Sequence, residues 1–167
     1  MEKHFMITVS EDKSCLFGVR FAGCFFSDKH NIKATLFTTA PKPPLLWEKE
    51  RTLEADIQQQ EQLEKIHAQI NISLNNAKAV CTQLGFLPDN VNTKFQDRLF
   101  SKVSDIIQEG EKGLYDAVLI GRRGLSMIEK MFDESLSEEL FQRPFTFPLW
   151  LCRSFDPNRK NLLLYVD

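Results

Sequence analysis

Short apolar runs alternate along the chain with longer stretches in which apolar residues recur every three or four positions. Phe5-Met-Ile-Thr-Val9 is mostly apolar and partly β-branched, and polar Ser10-Glu-Asp-Lys13 closes it, so it reads as a buried strand entering a helix. Cys15, Leu16, Val19, Phe21, Ala22, Phe25 and Phe26 then suit a helix buried over much of its surface. Ile32 to Thr39 is a second strand, and Pro41-Lys-Pro-Pro44 stops it. These three elements form a β-α-β unit.

From Trp47 to about Gly85 the chain is rich in Glu, Gln, Lys and Leu and has no proline, which predicts one long helix with Gly85 as its C-terminal cap. Leu63, Ile66, Ile70, Leu74, Ala77, Val80, Cys81 and Leu84 fall on one stripe. The first half, Glu48 to Gln62, is more polar and reads as an extension into solvent or toward another subunit. Asn90 to Phe95 predicts a third strand, and Phe100 to Ile107 a helix ended by Gly110 and Gly113. Tyr115 to Ile120 is the clearest strand, a short apolar run suited to the centre of a parallel sheet. Ser135 and Glu138 stand at capping-box spacing to open a further helix, and Phe147 to Cys152 is a fifth strand. The alternation predicts an α/β fold, a five-stranded parallel doubly wound sheet with helices on both faces.

Length and composition narrow the picture. A chain of 167 residues with 43% hydrophobic types buries one continuous core, giving one domain over residues 1–155. Residues 156–167 read as a linker and an extra strand segment. There Lys160-Asn-Leu-Leu-Leu-Tyr-Val166-Asp167 repeats the pattern of Lys3-His-Phe-Met-Ile-Thr-Val9-Ser10, as if a second copy of the domain began. The formal net charge of -2 comes from interspersed charges with no basic face, so nucleic acid is not an expected partner. No run is long enough to span a bilayer and the N-terminus lacks a secretory pattern, so a cytoplasmic protein is expected. Cys15, Cys24, Cys81 and Cys152 have no C-x-x-C spacing and read as buried free thiols. His4, His30 and His67 are too scattered for a local metal motif, and no metal site is expected.

Candidate chemistry centres on Gly121-Arg-Arg-Gly124, directly after the clearest strand, with Ser135-Leu-Ser137 opening the next helix. Backbone N–H groups at a helix N-terminus, approached closely through glycines, suit a phosphate. Any tight β-α turn uses the same residues, so the structural reading stays open beside the phosphate one.

Tyr115-Asp-Ala-Val-Leu-Ile-Gly-Arg-Arg-Gly-Leu-Ser126, Ser135-Leu-Ser-Glu-Glu-Leu140 and Phe147-Pro-Leu-Trp-Leu-Cys152 together resemble the C-terminal half of the universal stress protein family. The resemblance is strong over residues 115–153, extends to the first two strands, and thins to topology alone through the long helix. It implies a Rossmann-like, adenine nucleotide alpha hydrolase-like sheet and a homodimer formed through the last strand. For the family's ATP-binding branch it implies a nucleotide site of ATP or AMP, with magnesium. Gly121 and Gly124 match the first two glycines of that branch's motif, Arg122 and Arg123 lie between them, and Ser135, Leu136 and Ser137 match the phosphate-facing turn. Thr38 stands at the end of the second strand, near the adenine that the resemblance implies.

Two positions depart from that pattern: the third glycine is Glu134, and the first-strand Asp is Ser10. A carboxylate at Glu134 opposes a polyphosphate and removes backbone freedom, and Ser10 cannot supply a carboxylate to a ribose or a metal. The expectation is a regulatory protein acting through dimerisation, with weak or absent adenine nucleotide binding and no catalytic residues. Asp167 stands where the family's first-strand Asp belongs, which fits a degenerate N-terminal half of a tandem protein. The alternatives are an ATP-binding or ATP-hydrolysing member of the same family, and an interaction module whose long helix docks a protein partner of unknown identity.

Overall fold

In the computed structural model, residues 2–9, 16–41, 53–121 and 146–152 are described. The order is β1 (Lys3–Thr8), α1 (Phe17–Phe25), β2 (Ile32–Ala40), α2 (Leu53–Gln83), a 3₁₀ turn (Pro88–Asn90), β3 (Val91–Asp97), α3 (Lys102–Lys112), β4 (Ala117–Gly121) and β5 (Leu149–Cys152). All strand pairs are parallel and the spatial order is β3-β2-β1-β4-β5. The expected five-stranded doubly wound sheet is the one observed.

The order follows from chain chirality. A right-handed crossover from β1 to β2 and on to β3 sends α1 and α2 to one face; the return from β3 across to β4 reverses direction and sends α3 to the other. Alternation along each strand then divides two cores. Phe5, Ile7, Val9, Leu36, Leu119 and Cys152 face α1 and α2, whereas Met6, Phe37, Val118 and Ile120 pack with Val103, Ile106 and Ile107 of α3. Met6, Ile7, Leu36, Phe37 and Leu119 are fully buried, each contributing about 1.5–3 kcal/mol of burial.

The stripe read from α2 is real in its second half, where Ile70, Leu74, Ala77 and Cys81 are buried. At about 1.5 Å per residue its 31 residues measure about 46 Å, longer than the strands it covers. Asp56 to Lys65 is mostly exposed, in keeping with the polar first half. Gly85 takes φ +96, and the Phe86 N–H reaches Cys81 O while the Gly85 N–H reaches Thr82 O, closing the helix with a left-handed residue.

Several boundaries differ by one or more residues from expectation, and those of α3 and β3 have a clear cause. Helix α3 starts at Lys102 because the Asp105 carboxylate accepts the N–H groups of Leu99 and Phe100 at 3.0 and 3.1 Å, and Ser101 Oγ caps Ser104 N at 3.0 Å. It runs through Gly110 to Lys112. At Gly110 a Cβ would lie 2.6 Å from the Phe147 ring, so this glycine admits a neighbour and does not end the helix. β3 continues past Phe95 to Asp97, held by its pairing to Thr39 and Ala40. The thiols also divide: Cys81 and Cys152 are buried as expected, but Cys24 is exposed, because it lies four residues beyond exposed Arg20 on the outer face of α1. Cys15, the helix expected from Ser135 and the segment 156–167 lie outside the described residues.

Candidate functional site at the carboxyl edge of the sheet

In an open α/β sheet a ligand crevice forms at the carboxyl ends of the strands where the order reverses. Here the reversal falls between β1 and β4, since the chain moves outward from β1 to β2 and β3 and then returns to the other side of β1. Ile7 lies beside Leu119, and the parallel register brings Val9 level with Gly121. On the other flank Thr8 pairs with Phe37 and the Val9 N–H donates to Phe37 O at 2.8 Å, which sets Thr38 beside Val9. Gly121 in turn pairs with Cys152. One row across the carboxyl edge therefore reads Thr38, Val9, Gly121, Cys152.

Thr38 and Gly121 thus stand one strand either side of the end of β1. The Thr38 side chain is buried, on the face of α1 and α2 shared by Leu36 and Ala40. Gly121 is partly exposed, at the end of the buried strand Ala117 to Ile120. Beneath them the Thr8 hydroxyl donates to Leu119 O at 3.3 Å, tying β1 to β4 at the reversal. Gly18 lets α1 approach this pair of strands: a Cβ there would lie 3.0 Å from Ile7 Cγ2 and 3.7 Å from Leu119 O. The chain thus supplies closely packed strand ends at this edge, with Gly121 partly exposed at the end of β4. Ser10, Arg122, Arg123, Gly124, Glu134, Ser135, Leu136 and Ser137 lie outside the described residues.

An all-parallel sheet in the order β3-β2-β1-β4-β5, reversing between β1 and β4, is the observation that settles the fold. The chain has the universal stress protein fold. It is similar over 93% of its length, and 99% of the other chain, to the solved structure of the hypothetical protein MJ0577, with TM-score 0.63 and 14% identity. It is similar over 90% of its length, and 97% of the other chain, to the universal stress protein of Archaeoglobus fulgidus solved in complex with dAMP, with TM-score 0.51 and 14% identity. A universal stress protein solved in complex with cAMP matches over 91% of this chain and 97% of its own, with TM-score 0.51 and 15% identity. No family model matches the sequence, and no curated protein matches it.

The universal stress protein fold also carries here a polar network that the sequence pattern did not reveal, at the opposite, amino end of the sheet. Lys3 Nζ and the His4 N–H both reach the Asp116 carboxylate, at 2.6 and 2.7 Å. His4 Nε2 is 2.8 Å from Thr35 Oγ1, and its ring meets Tyr115 edge-on at 4.6 Å. The Tyr115 hydroxyl donates to Glu109 Oε1 at 2.9 Å, and Lys94 Nζ reaches the same oxygen at 2.7 Å. The Lys3 ammonium first, then the His4 N–H, hold the Asp116 carboxyl below its ordinary value. Lys3 and Asp116, the outermost members, are 113 positions apart in the chain, so only the sheet register brings the network together. Among the described residues no three His, Cys, Asp or Glu side chains form a metal-binding group, and no helix is long and apolar enough to cross a membrane.

Proposed function

We propose that this chain is a cytoplasmic regulatory protein of the universal stress type, acting through a homodimer and binding adenine nucleotides weakly or not at all. The observation that carries the reading is the reversal between β1 and β4, with Gly121, the first residue of the Gly121-Arg-Arg-Gly124 motif, at the end of β4. Two neighbours of the same fold hold dAMP and cAMP, which supports AMP or ATP, with magnesium, as the ligand to test. Glu134 and Ser10 weaken such a site by like charge and by the missing carboxylate. On this reading no residue of the chain is catalytic. The homodimer reading is supported by β5, an edge strand among the described residues, on which Leu151 is 46% exposed.

Calorimetric titration of ATP and AMP, with and without magnesium, into this chain and into Glu134→Gly tests the proposal. Weak or absent heat in the parent and a gain in the variant are expected. Micromolar binding by the parent, or metal-dependent turnover of ATP, overturns it in favour of a nucleotide-sensing or ATP-hydrolysing protein. A second reading, an interaction module, draws on the exposed first half of α2, where Ile57 is 59% exposed. Loss of a bound protein on Ile57→Lys, with no nucleotide effect, favours that reading.

A further inference from the structure

The hydrogen bonds of the amino-end network run in one direction. Lys94 Nζ and the Tyr115 hydroxyl both donate to Glu109 Oε1, at 2.7 and 2.9 Å. A carboxylate paired with an ammonium only accepts, so Tyr115 gives its single proton there. Buried Thr35 also bonds the Tyr115 hydroxyl. With the phenol proton committed, that oxygen can only accept, and Thr35 donates to it. The Thr35 hydroxyl then has no proton left for His4, whose Nε2 lies 2.8 Å away, and His4 Nε2 is the donor. Each group thus donates to the next, from His4 to Thr35 to Tyr115 to Glu109, and neutral His4 is fixed as its Nε2–H tautomer.

The last bond of this chain closes over a strained turn. Between Glu109 and Tyr115 lie the end of α3 and the two residues that lead toward β4, Gly113 and Leu114. Leu114 takes φ 50 and is 89% exposed, so its own side chain does not hold it there; a bulky residue in the left-handed region persists only where its surroundings fix it. A Cβ on Gly113 would overlap the Tyr115 ring, so the ring lies folded against the turn. The carboxylates around His4 already hold cations: Asp116 holds Lys3, Glu2 holds Lys33 and Glu109 holds Lys94. A proton added to His4 therefore brings a further positive charge, with Lys33 facing it from β2 and Lys3 beside it on β1, and finds no unpaired carboxylate among these groups. Burial, and then Lys33, accordingly lower the His4 pKa against weaker pulls from Asp116 and Glu2.

We propose that this one-way chain is a proton-operated latch: with His4 neutral it holds the end of α3 and the Gly113-Leu114 turn on the sheet, and protonation of His4 releases them. His4 is only partly buried, so the charged ring turns out to water. Thr35 then loses its donor, the grip of Tyr115 on Glu109 weakens, and the turn relaxes out of the left-handed conformation at Leu114 while the rest of the sheet stays in place. The latch sits at the amino end, opposite the edge where Gly121 ends β4, so its success or failure leaves the reading of that edge untouched.

The test is NMR on the full chain. Long-range nitrogen–proton correlations of the His4 ring at about pH 7.5 should show the Nε2–H tautomer. The reporter of the latch is the Gly113 amide, which donates to Glu109 O at 2.9 Å. Its protection factor, which corrects for the intrinsic pH dependence of exchange, should fall about tenfold between about pH 7.5 and pH 5, while amides at the centre of β1 and β4 keep theirs. His4→Gln keeps a donor near the place of Nε2 but does not titrate, so Gly113 should stay protected at both pH values. The near-isosteric Thr35→Val breaks the chain and should leave Gly113 poorly protected at both, and Thr35→Ser, which keeps the hydroxyl, should restore the response of the parent. An Nδ1–H tautomer, a Gly113 response that is absent in the parent or persists in His4→Gln, parent-like protection in Thr35→Val, or a loss shared by the whole sheet overturns the proposal.

Discussion

The Tyr115 hydroxyl donates a 2.9 Å hydrogen bond to Glu109, a carboxylate that is almost wholly buried and also receives Lys94 at 2.7 Å. Burial first, then the bond to Glu109, pushes the Tyr115 phenol up to about 12. A raised pKa means that the folded state holds the proton more tightly than the unfolded chain. The stabilisation is thus complete below pH 10 and is lost as pH rises toward 12. Tyr115→Phe should lower stability by about 1–3 kcal/mol at neutral pH and flatten the loss between pH 10 and 12. Denaturant melts at neutral and alkaline pH, with absorbance titration of the phenolate, check both.

His4 carries the opposite sign. Burial, and then the Lys33 ammonium, lower its pKa below 6.5, against weaker opposing pulls from Asp116 and Glu2. The unfolded chain therefore takes the proton first, so the contribution of neutral His4 is whole above pH 6.5 and falls as the pH drops through the lowered value. Tyr115 and Thr35 complete its surroundings, and neither carries a charge in that range. Urea midpoints should fall between pH 6.5 and 5 in the parent, and His4→Gln should remove most of that slope. An unchanged slope in the variant assigns the acid sensitivity to other groups.

Helices α1 and α2 meet where a side chain has been left out. A Cβ on Gly23 would lie 2.6 to 3.0 Å from Cδ1, Cβ and Cγ of Leu84, and Cβ cannot swing away as a terminal methyl can. Gly23→Ala should cost about 1–3 kcal/mol from overpacking. Leu84→Ala opens the space, so in the double variant the two losses should be less than additive. A strictly additive pair in a double-mutant cycle shows that the helices shift apart instead.

How much of this was legible in the sequence depends on the range of the interaction. The apolar runs of β1, β2 and β4 and the second half of the α2 stripe are local periodicities, and they appear within two residues of the bounds read. Gly85 was legible as a cap because a left-handed residue is needed at the helix end itself. Gly110 looked the same on paper but answers to the distant Phe147 ring, which no local pattern contains. Gly121 and Thr38 were each visible at a strand end; that they flank Val9 is a property of the register. The amino-end network, with Lys3 bound to Asp116, was invisible for that reason.

The thiols offer a direct reading of burial. Burial alone pushes Cys81 and Cys152 up to about 12, which removes the thiolate that attacks a disulfide reagent, whereas Cys24 is exposed. Brief treatment of native protein with a thiol reagent, followed by peptide mass mapping, should find Cys24 labelled and Cys81 and Cys152 protected until denaturant is added. Fast labelling of Cys152 in the native protein would show that β5 detaches from β4, since Cys152 pairs with Gly121.

The edge at β5 bears on oligomeric state. Among the described residues the two sheet edges differ: β3 presents exposed Asn92, Thr93 and Lys94, polar residues that discourage pairing, while β5 reads Leu-Trp-Leu-Cys with Leu151 46% exposed. Beside it Trp150 gathers Phe25 at 5.5 Å, Phe26 at 6.1 Å and Phe21 at 6.4 Å, and Phe25 is itself 46% exposed. If the dimer forms through β5, a lysine at the exposed position places two like charges across the new strand pair and should convert it to monomer. Leu151 contributes little to the monomer's own core, so Leu151→Lys should leave the melting of the isolated chain nearly unchanged, within about 0.5 kcal/mol. Sedimentation of parent and variant at equal concentration separates the cases: a dimer that becomes monomeric places the interface on β5, and a dimer that persists moves it to another surface, with the first half of α2 next to be tested.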